Sequence, residues 1–236
     1  MPGQGHRRVE LARILQSQGF GSRRQCRALV HAGRVSIAGE IADDPPADLD
    51  VAGLRFSVDG EAWAYTLHAT LMLHKPAGYE CSREPSHHAS VLDLLPVPLR
   101  MRGVQPVGRL DQDTTGLLIL TDDGALNHRL TSPRHAVPKC YLATVKHPVD
   151  GALCARLQEG VQLHGEDAPL AAVRCEKVGE RELRIVITEG KYHQVKRMVA
   201  AAGNRVGFLH RESIGDLVLP ADLAPGEWRW LNGYTG

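Results

Sequence analysis

No apolar run in the 236-residue chain approaches the ~18 residues that a membrane span needs. The N-terminal stretch "MPGQGHRRVELARIL" has charge but neither an apolar core nor a small-residue cleavage site, so no secretion signal is read there. Cysteine is sparse and scattered: Cys26, Cys81, Cys140, Cys154 and Cys175 are odd in number and contain no CxxC pair. That pattern indicates neither a zinc site nor a disulfide framework and fits a reducing, cytoplasmic setting. A glycine-rich phosphate loop, a metal-ligand cluster and a dinucleotide pattern are all missing, so no cofactor and no metal are expected. Net charge is low as well, +1 over the whole chain, and by itself says almost nothing about partners.

The distribution of charge says more. Residues 1–37 hold Arg7, Arg8, Arg13, Arg23, Arg24, Arg27 and Arg34 against the single acid Glu10. The following stretch reverses sign, with Glu40, Asp43, Asp44, Asp48, Asp50, Asp59 and Glu61 against Arg55. A local basic patch is what phosphate binding needs. Leu11, Ile14 and Leu15 recur at helical spacing and stop at Gly19; Ser22 is an N-cap for a second helix with Cys26, Leu29 and Val30 on its apolar face. Arg23, Arg24 and Arg27 then fall on the exposed side near its start, where the helix dipole also favours an anion. A solvated helix face would carry the same charges. "RVSIAGEIA" alternates as a strand, turns at Gly39 and returns.

This helix–turn–helix–hairpin, with "SRRQCRALVHAGRVSIAGE", resembles the small RNA-binding domain first named for a small-subunit ribosomal protein, the S-four type. The likeness covers about residues 7–58. It implies RNA contact through the arginine-bearing helix and the Gly33–Arg34 turn. Residues 44–67 hold prolines, glycines and acids with little apolar period, which places a first domain at 1–60, a linker at 61–68 and a second domain at 69–236.

The second domain opens with a strand at Leu71–Leu73, broken by Pro76 and Gly78 into a loop carrying Lys75. A short helix and basic loop follow in "HHASVLDLLPVPLRMRG", another short helix in "ALNHRLTS", and alternating strands in "KCYLATVK" and "ELRIVIT". In "EGKYHQVKRMVAAAGN", Val195, Met198, Val199 and Ala202 make one helical face and His193, Lys196, Arg197 and Ala200 the other. Gly203 or Asn204 stops that helix.

Between these segments lies "GRLDQDTTGLLILTDDG" (108–124), whose "DxDxTG" spacing has the look of a calcium loop. That reading needs helices on both sides and a bidentate Glu at the twelfth position. Asp122 stands there, one methylene short, after the strand-like run Leu117–Leu120, and Pro106 bars an entering helix. Two readings stay open on the residues alone. Asp111 and Asp113 can hydrogen-bond the backbone of an Asx-turn, Asp113 capping the turn beside Thr114 and Thr115. Alternatively, a carboxylate held beside Arg109 and within reach of a cationic helix has its pKa lowered and stays ionised, fit to act as a nucleophile or charge stabiliser.

"PVGRLDQDTTGLLILTDDG", "KPAGYECS", "KCY" and "ITEGKYHQVKRM", in this order, resemble the signature segments of bacterial ribosomal-RNA pseudouridine synthases, from about Leu71 to Trp230. "RLTSPRH" and "GVQLHGE" look more like the branch that modifies one uridine of the small-subunit RNA, although the motif around Lys191 and Tyr192 is shared with enzymes of large-subunit RNA. The resemblance implies an α+β protein, the S-four-like domain followed by a mixed-sheet catalytic domain. It implies that Asp111 attacks or stabilises the nucleoside while the base is detached, turned and rejoined through carbon 5. Tyr141 would stack on the flipped base, Ile187 pack beneath it, and Lys196 pair with the aspartate. Arg109 would hold the RNA open. Lys75, Lys139, His193 and Arg197, with Arg23, Arg24, Arg27 and Arg34, are the further RNA contacts. The implied product is pseudouridine at position 516 of 16S ribosomal RNA, made on that RNA or a small-subunit assembly intermediate by a monomer with no membrane attachment.

Residue chemistry agrees: an isomerisation needs no redox group, and an aromatic face offsets the stacking lost by a flipped base. Each residue also has a bland reading. Tyr141 can be an interior strand tyrosine, Lys196 and Arg197 solvated helix cations, His87–His88 a loop detail, Cys140 an apolar filler. Three competitors remain: a synthase acting on 23S RNA, a clamp that only binds ribosomal RNA, and a metal-dependent hydrolase built on Asp111, Asp113, His87 and His88.

Overall fold

The computed structural model describes residues 7–236; the first six residues of the stretch read for a leader lie outside that range. The chain is α+β and divides into two compact units, one running to Ala69 and including Leu95–Val104, the other comprising Thr70–Leu94 and Gln105–Gly236. Among the described residues no helix is long and apolar enough to cross a membrane.

In the first unit β1 (Arg8–Glu10) leads into α1 (Leu11–Ser17), and α2 (Arg23–His31) follows. Ser22 begins α2 with a capping box: its hydroxyl accepts the Gln25 N–H at 3.4 Å while the Gln25 carboxamide accepts the Ser22 N–H at 2.8 Å. Two donors that every helix start leaves orphaned are thereby satisfied. The strands are β2 (Val35–Ile37), β3 (Glu40–Ile41), β4 (Asp48–Asp50), β5 (Arg55–Val58) and β6 (Glu61–Ala64). β4 pairs with β1, and the others form a sheet in the order β3-β2-β5-β6. Leu11, Ile14, Leu15, Cys26, Val30, Val35, Phe56 and Val58 pack as its core.

Two features differ from the sequence expectation. Residues 61–64, read as the start of a linker, are a sheet strand paired with β5; Trp63 packs on the core from it. Residues 95–104, read as part of the second domain, belong to the first unit through α3 (Val97–Met101). Gly19, at φ +89°, lets the Pro98 carbonyl approach where a Cβ would sit 1.9 Å from it, and Arg102 donates to the Gln18 and Thr66 side chains. Neither packing partner is visible in the local pattern of the segment.

The second unit is built on a nine-stranded mixed sheet. Its elements are β7 (Thr70–Lys75), β8 (Tyr79–Glu80), β9 (Ala89–Ser90), β10 (Gln105–Pro106), β11 (Thr115–Thr121), α4 (Gly124–Thr131), β12 (Lys139–Val145), α5 (Gly151–Glu159), β13 (Arg174–Gly179), β14 (Glu182–Ile187), α6 (Gln194–Ala201), β15 (Val206–Ile214), β16 (Leu217–Val218) and β17 (Trp228–Trp230). The main order is β13-β14-β12-β15-β11-β7-β17, with β10 beside β11 and β16 beside β15. Only β11 and β15 run parallel within it.

Alternation along β12 and β14 puts Tyr141, Ala143 and Val145 on one face with Leu183, Ile185 and Ile187. Against that face pack Leu153 and Leu157 of α5 and Val195, Met198 and Val199 of α6. Leu126 and Leu130 of α4 pack with Met72, Leu117 and Ile119.

One cross-strand row matters for the site: Lys75 of β7, Gly116 of β11, Arg211 of β15 and Tyr141 of β12 are register neighbours. Gly116 sits at φ +109°, and a Cβ there would lie 2.3 Å from the Arg211 carbonyl oxygen. The parallel pairing of β11 with β15 therefore requires glycine at this point. Gly116→Ala is expected to lower stability by about 2–3 kcal/mol, the combined scale of left-handed strain and overpacking. Thermal unfolding checks this; an unchanged melting temperature would contradict it.

Candidate active site

The loop 107–114 leaves β10 and returns as β11, and its shape is fixed from beneath. Lys75 is 0 % exposed. Its ammonium donates to the carbonyls of Pro76 at 3.0 Å, Gln112 at 3.1 Å and Thr114 at 2.8 Å. Gly78 donates a further N–H to the Gln112 carbonyl, and the Thr114 N–H closes a turn onto the Asp111 carbonyl at 3.1 Å. Burial lowers the Lys75 pKa, against the opposing pull of Cys81, Asp113 and Asp111. The expectation that Lys75 touches RNA is thus corrected: the side chain is enclosed and all three ammonium protons have partners inside the protein.

From the other side α6 grips the carboxylates. The Lys196 ammonium lies 2.9 Å from Asp111 Oδ2 and 2.6 Å from Asp113 Oδ1, and His193 Nε2 lies 3.3 Å from Asp111 Oδ1. An ammonium therefore stands between the two aspartates that a calcium reading would give to a metal. Burial works against the charge on Lys196, but the hydrogen bonds and charges of Asp113 and Asp111 outweigh it and raise its pKa. Burial likewise opposes ionisation of Asp113, and Lys196 outweighs it, so its pKa is lowered. Asp113 was expected to cap the turn; its carboxylate binds Lys196 instead.

His193 occupies the N-cap of α6 in the left-handed region, φ +47°. Its ring stacks under Tyr192, centroids 3.8 Å apart and planes 19° from parallel. Glu166 braces this segment, pairing with Lys191 at 3.0 Å and Arg197 at 3.3 Å; Arg197 also donates to the carbonyls of Tyr192 and His164. Arg197, expected among the RNA contacts, joins two loops here and is not part of the wall of either cavity described below.

Asp111 faces a cavity of about 780 Å³ whose wall includes Arg109, Lys139, Tyr141, Tyr192, His193 and Arg211. Ile187 borders a smaller pocket that also touches Asp111 and Tyr141. Arg109 is exposed. Lys139 donates to the carbonyls of Val137 at 2.8 Å and Thr188 at 3.4 Å; burial, then the charge of Arg211, lowers its pKa. Tyr141 accepts a 3.4 Å hydrogen bond from Arg211 Nη1, and the guanidinium carbon lies 5.9 Å from the tyrosine ring centre. Sequence reasoning missed Arg211 altogether. In the first unit, Arg23, Arg24, Arg27 and Arg34 are all exposed. Arg23 and Arg27 share Glu10, at 2.5 and 3.2 Å, and Arg34 forms a paired contact with Asp59 at 2.6 Å.

His87 and His88 line the large cavity, but no group of three or more metal-ligand side chains converges among the described residues. Their loop hangs on Glu80, which accepts the N–H groups of Ser86, His87 and His88, each at 2.9 Å. Those backbone hydrogen bonds from Ser86 and His87, more than the nearby His88 ring, hold the Glu80 pKa down at about 2. A carboxyl depressed on folding stabilises the loop fully above its unfolded value of 4.5 and loses that contribution as pH falls toward 2. Loop 86–88 should therefore stay ordered at pH 5 and loosen toward pH 2, whereas Glu80→Gln should loosen it at neutral pH. Amide protection measured by NMR checks this; equal protection in the variant would contradict it.

Comparison with known proteins fits this arrangement. The family model for RNA pseudouridylate synthase matches residues 69–201, and that for the S4 domain matches residues 11–49. The ribosomal small subunit pseudouridine synthase A of Yersinia pestis is 42 % identical over 94 % of this chain and 94 % of its own length. Its Escherichia coli counterpart is 44 % identical over 86 % of this chain and 87 % of its own. An uncharacterised RNA pseudouridine synthase of Bacillus subtilis is 40 % identical over 94 % and 95 %. A crystal structure of a pseudouridylate synthase superposes with a TM-score of 0.66 at 36 % identity, covering 94 % of this chain and 96 % of the other. The chain belongs to the RNA pseudouridylate synthase family: it is an isomerase that converts uridine in RNA to pseudouridine, and it carries an S4 RNA-binding domain.

Proposed function

We propose that this enzyme makes a single pseudouridine in bacterial small-subunit ribosomal RNA, at position 516 of the 16S molecule, with Asp111 as the covalent catalyst. One observation carries the assignment of the aspartate. Asp111 is the carboxylate that both borders the large cavity and is oriented by two partners on α6, the Lys196 ammonium and the His193 imidazole. The small-subunit substrate is carried by the names of the relatives from Yersinia pestis and Escherichia coli.

The target base must leave its stack to reach the cavity, at a cost of a few kcal/mol. Arg109, exposed at the mouth, holds the RNA open, and the Tyr141 ring receives the flipped base, with Ile187 beneath. A carboxylate oxygen of Asp111 then takes C1′ as the glycosidic bond breaks. The freed ring turns, carbon 5 displaces the carboxylate, the C5 proton is lost and N1 gains one. Lys196 and His193 serve this sequence by fixing the carboxylate where C1′ arrives. Asp113 acts through Lys196 and is 60 % exposed. The exposed arginines of the S4 domain supply phosphate contacts, Arg23, Arg27 and Arg34 each exchanging a protein carboxylate for a phosphate oxygen.

Asp111→Asn keeps size and shape but loses charge and nucleophilicity, so pseudouridine formation on purified small-subunit RNA should fall by more than about 10⁴-fold, beyond the range of a positioned acid or base. Asp113→Asn should stay within about tenfold of the wild-type rate, since an exposed pair contributes only ~0–1 kcal/mol. A comparable rate in Asp111→Asn would refute the mechanism. Faster turnover on 23S RNA would refute the substrate.

Replacing Arg23, Arg24, Arg27 and Arg34 together with alanine should weaken RNA binding and flatten its salt dependence, by a slope of about 0.9 or less per lost phosphate contact. Filter binding across a salt series measures this. An unchanged slope would count against the patch.

A further inference from the structure

The wall of the catalytic cavity contains a charge that the mechanism above leaves unused. Arg211 is 3 % exposed. Among the described residues no carboxylate pairs with it. Its Nε donates to the Leu117 carbonyl at 2.8 Å and its Nη1 to the Tyr141 hydroxyl at 3.4 Å, both uncharged acceptors. Its Nη2 is buried without a protein partner. Lys139, also on the wall, is held by two carbonyls, likewise uncharged. Burying a cation without a counter-ion is costly, and here buried Arg211 and half-buried Lys139 share one end of one cavity. The aspartates of the site do not neutralise them, being taken by Lys196 and His193.

The sheet register explains how this pair is built. Tyr141 and Arg211 are cross-strand neighbours, and Lys139 lies two residues along β12 from Tyr141, on the same face. Lys139 and Arg211 therefore flank the ring expected to receive the base. Where the apolar ladder Val145, Ala143, Ile185 ends, the same face turns cationic.

We propose that Arg211 and Lys139 bind the detached uracil ring as its anion during the isomerisation. The inference rests on the reaction proposed above. When the bond between C1′ and N1 breaks, its electron pair stays with the ring, which becomes an anion delocalised over N1, O2 and O4. The Asp111 oxygen bonds C1′ and loses its charge in doing so. One negative charge has then moved from the aspartate, beside Lys196, to the ring, beside Arg211 and Lys139. When carbon 5 attacks C1′ the charge returns to the carboxylate, and the proton lost from C5 balances the one gained at N1. Fixed donors aimed at a site where charge develops stabilise that state without reorganising. Arg211 lines the cavity, and its enclosed Nη2 keeps a donor that no protein acceptor takes up.

The test is single-turnover pseudouridine formation at saturating small-subunit RNA, with RNA Kd and melting temperature measured on the same proteins. Arg211→Met should slow the reaction about 10²-fold or more, the scale for loss of one such donor. Its RNA Kd should stay within about threefold, the sign of an interaction made after binding. Arg211→Lys, which restores charge, should recover part of the rate. Lys139→Met, in a more exposed position, should slow it about tenfold, at the low end for a positioned group. A second readout uses 5-nitrouracil, whose ring is acidic enough to be anionic at neutral pH. It should inhibit the wild-type enzyme more strongly than uracil does, and Lys139→Met should lose that preference. Should Arg211→Met fail to fold, Lys139→Met and the preference for the anionic ring decide. A folded Arg211→Met within about threefold of the wild-type rate would overturn the proposal, as would a wild-type enzyme indifferent to the ring's charge. A wild-type protein that forms no pseudouridine contradicts the function proposed above instead, and the ring-charge preference still reports on this pair.

Discussion

Three carbonyl oxygens surround the ammonium of Lys75, and the position of Asp111 depends on them. A loop of eight residues between β10 and β11 has few backbone hydrogen bonds of its own. The buried cation replaces them, collecting Pro76, Gln112 and Thr114 around one point. A buried cation needs its full set of acceptors, so the loop cannot open without exposing an unsatisfied charge. That requirement converts an irregular segment into a rigid mount. Lys196 completes the restraint from α6, a second element packed on the same sheet.

Basic side chains are therefore arranged in three positions around the cavity. Lys75 lies underneath the loop and is structural. Lys196 and His193 lie beside the carboxylates and orient them. Arg211 and Lys139 lie on the wall with uncharged partners. Burial and the neighbouring charge of Arg211 depress Lys75 and Lys139, while carboxylate contact raises Lys196. The three lysines thus serve three purposes, separated by which oxygen each one faces. No large net excess of positive charge is needed, and the chain carries only +1.

Much of this was legible in sequence where pattern and mechanism coincide. The Ser22 cap, the apolar faces of α1, α2 and α6, and the alternation of β12 and β14 follow directly from residue order. The motif "GRLD" pointed at Asp111, and the geometry brings Tyr141, Lys139, Arg109 and His193 to the same cavity. Lys75 was misread because a cation that binds carbonyls and one that awaits a phosphate look alike in a sequence. Arg211 was missed for the related reason that "GFLHRES" shows no clean alternation: a register shift between Cys140 and Tyr141 in the β12–β15 pairing interrupts the period. Residues 95–104 lie within the segment that the synthase family model matches yet pack with the first unit, a packing hidden from sequence because the partners Gln18 and Thr66 are distant along the chain.

The central claim is that this architecture serves one uridine of the small-subunit RNA through one aspartate. Its most direct test is a pseudouridine map of total ribosomal RNA from cells lacking the gene, complemented with the wild-type chain or with Asp111→Asn. The account predicts that one modification disappears, at position 516 of 16S RNA, returns with the wild-type chain and stays absent with Asp111→Asn. An unchanged small-subunit map in the deletion strain, or restoration by Asp111→Asn, would contradict it.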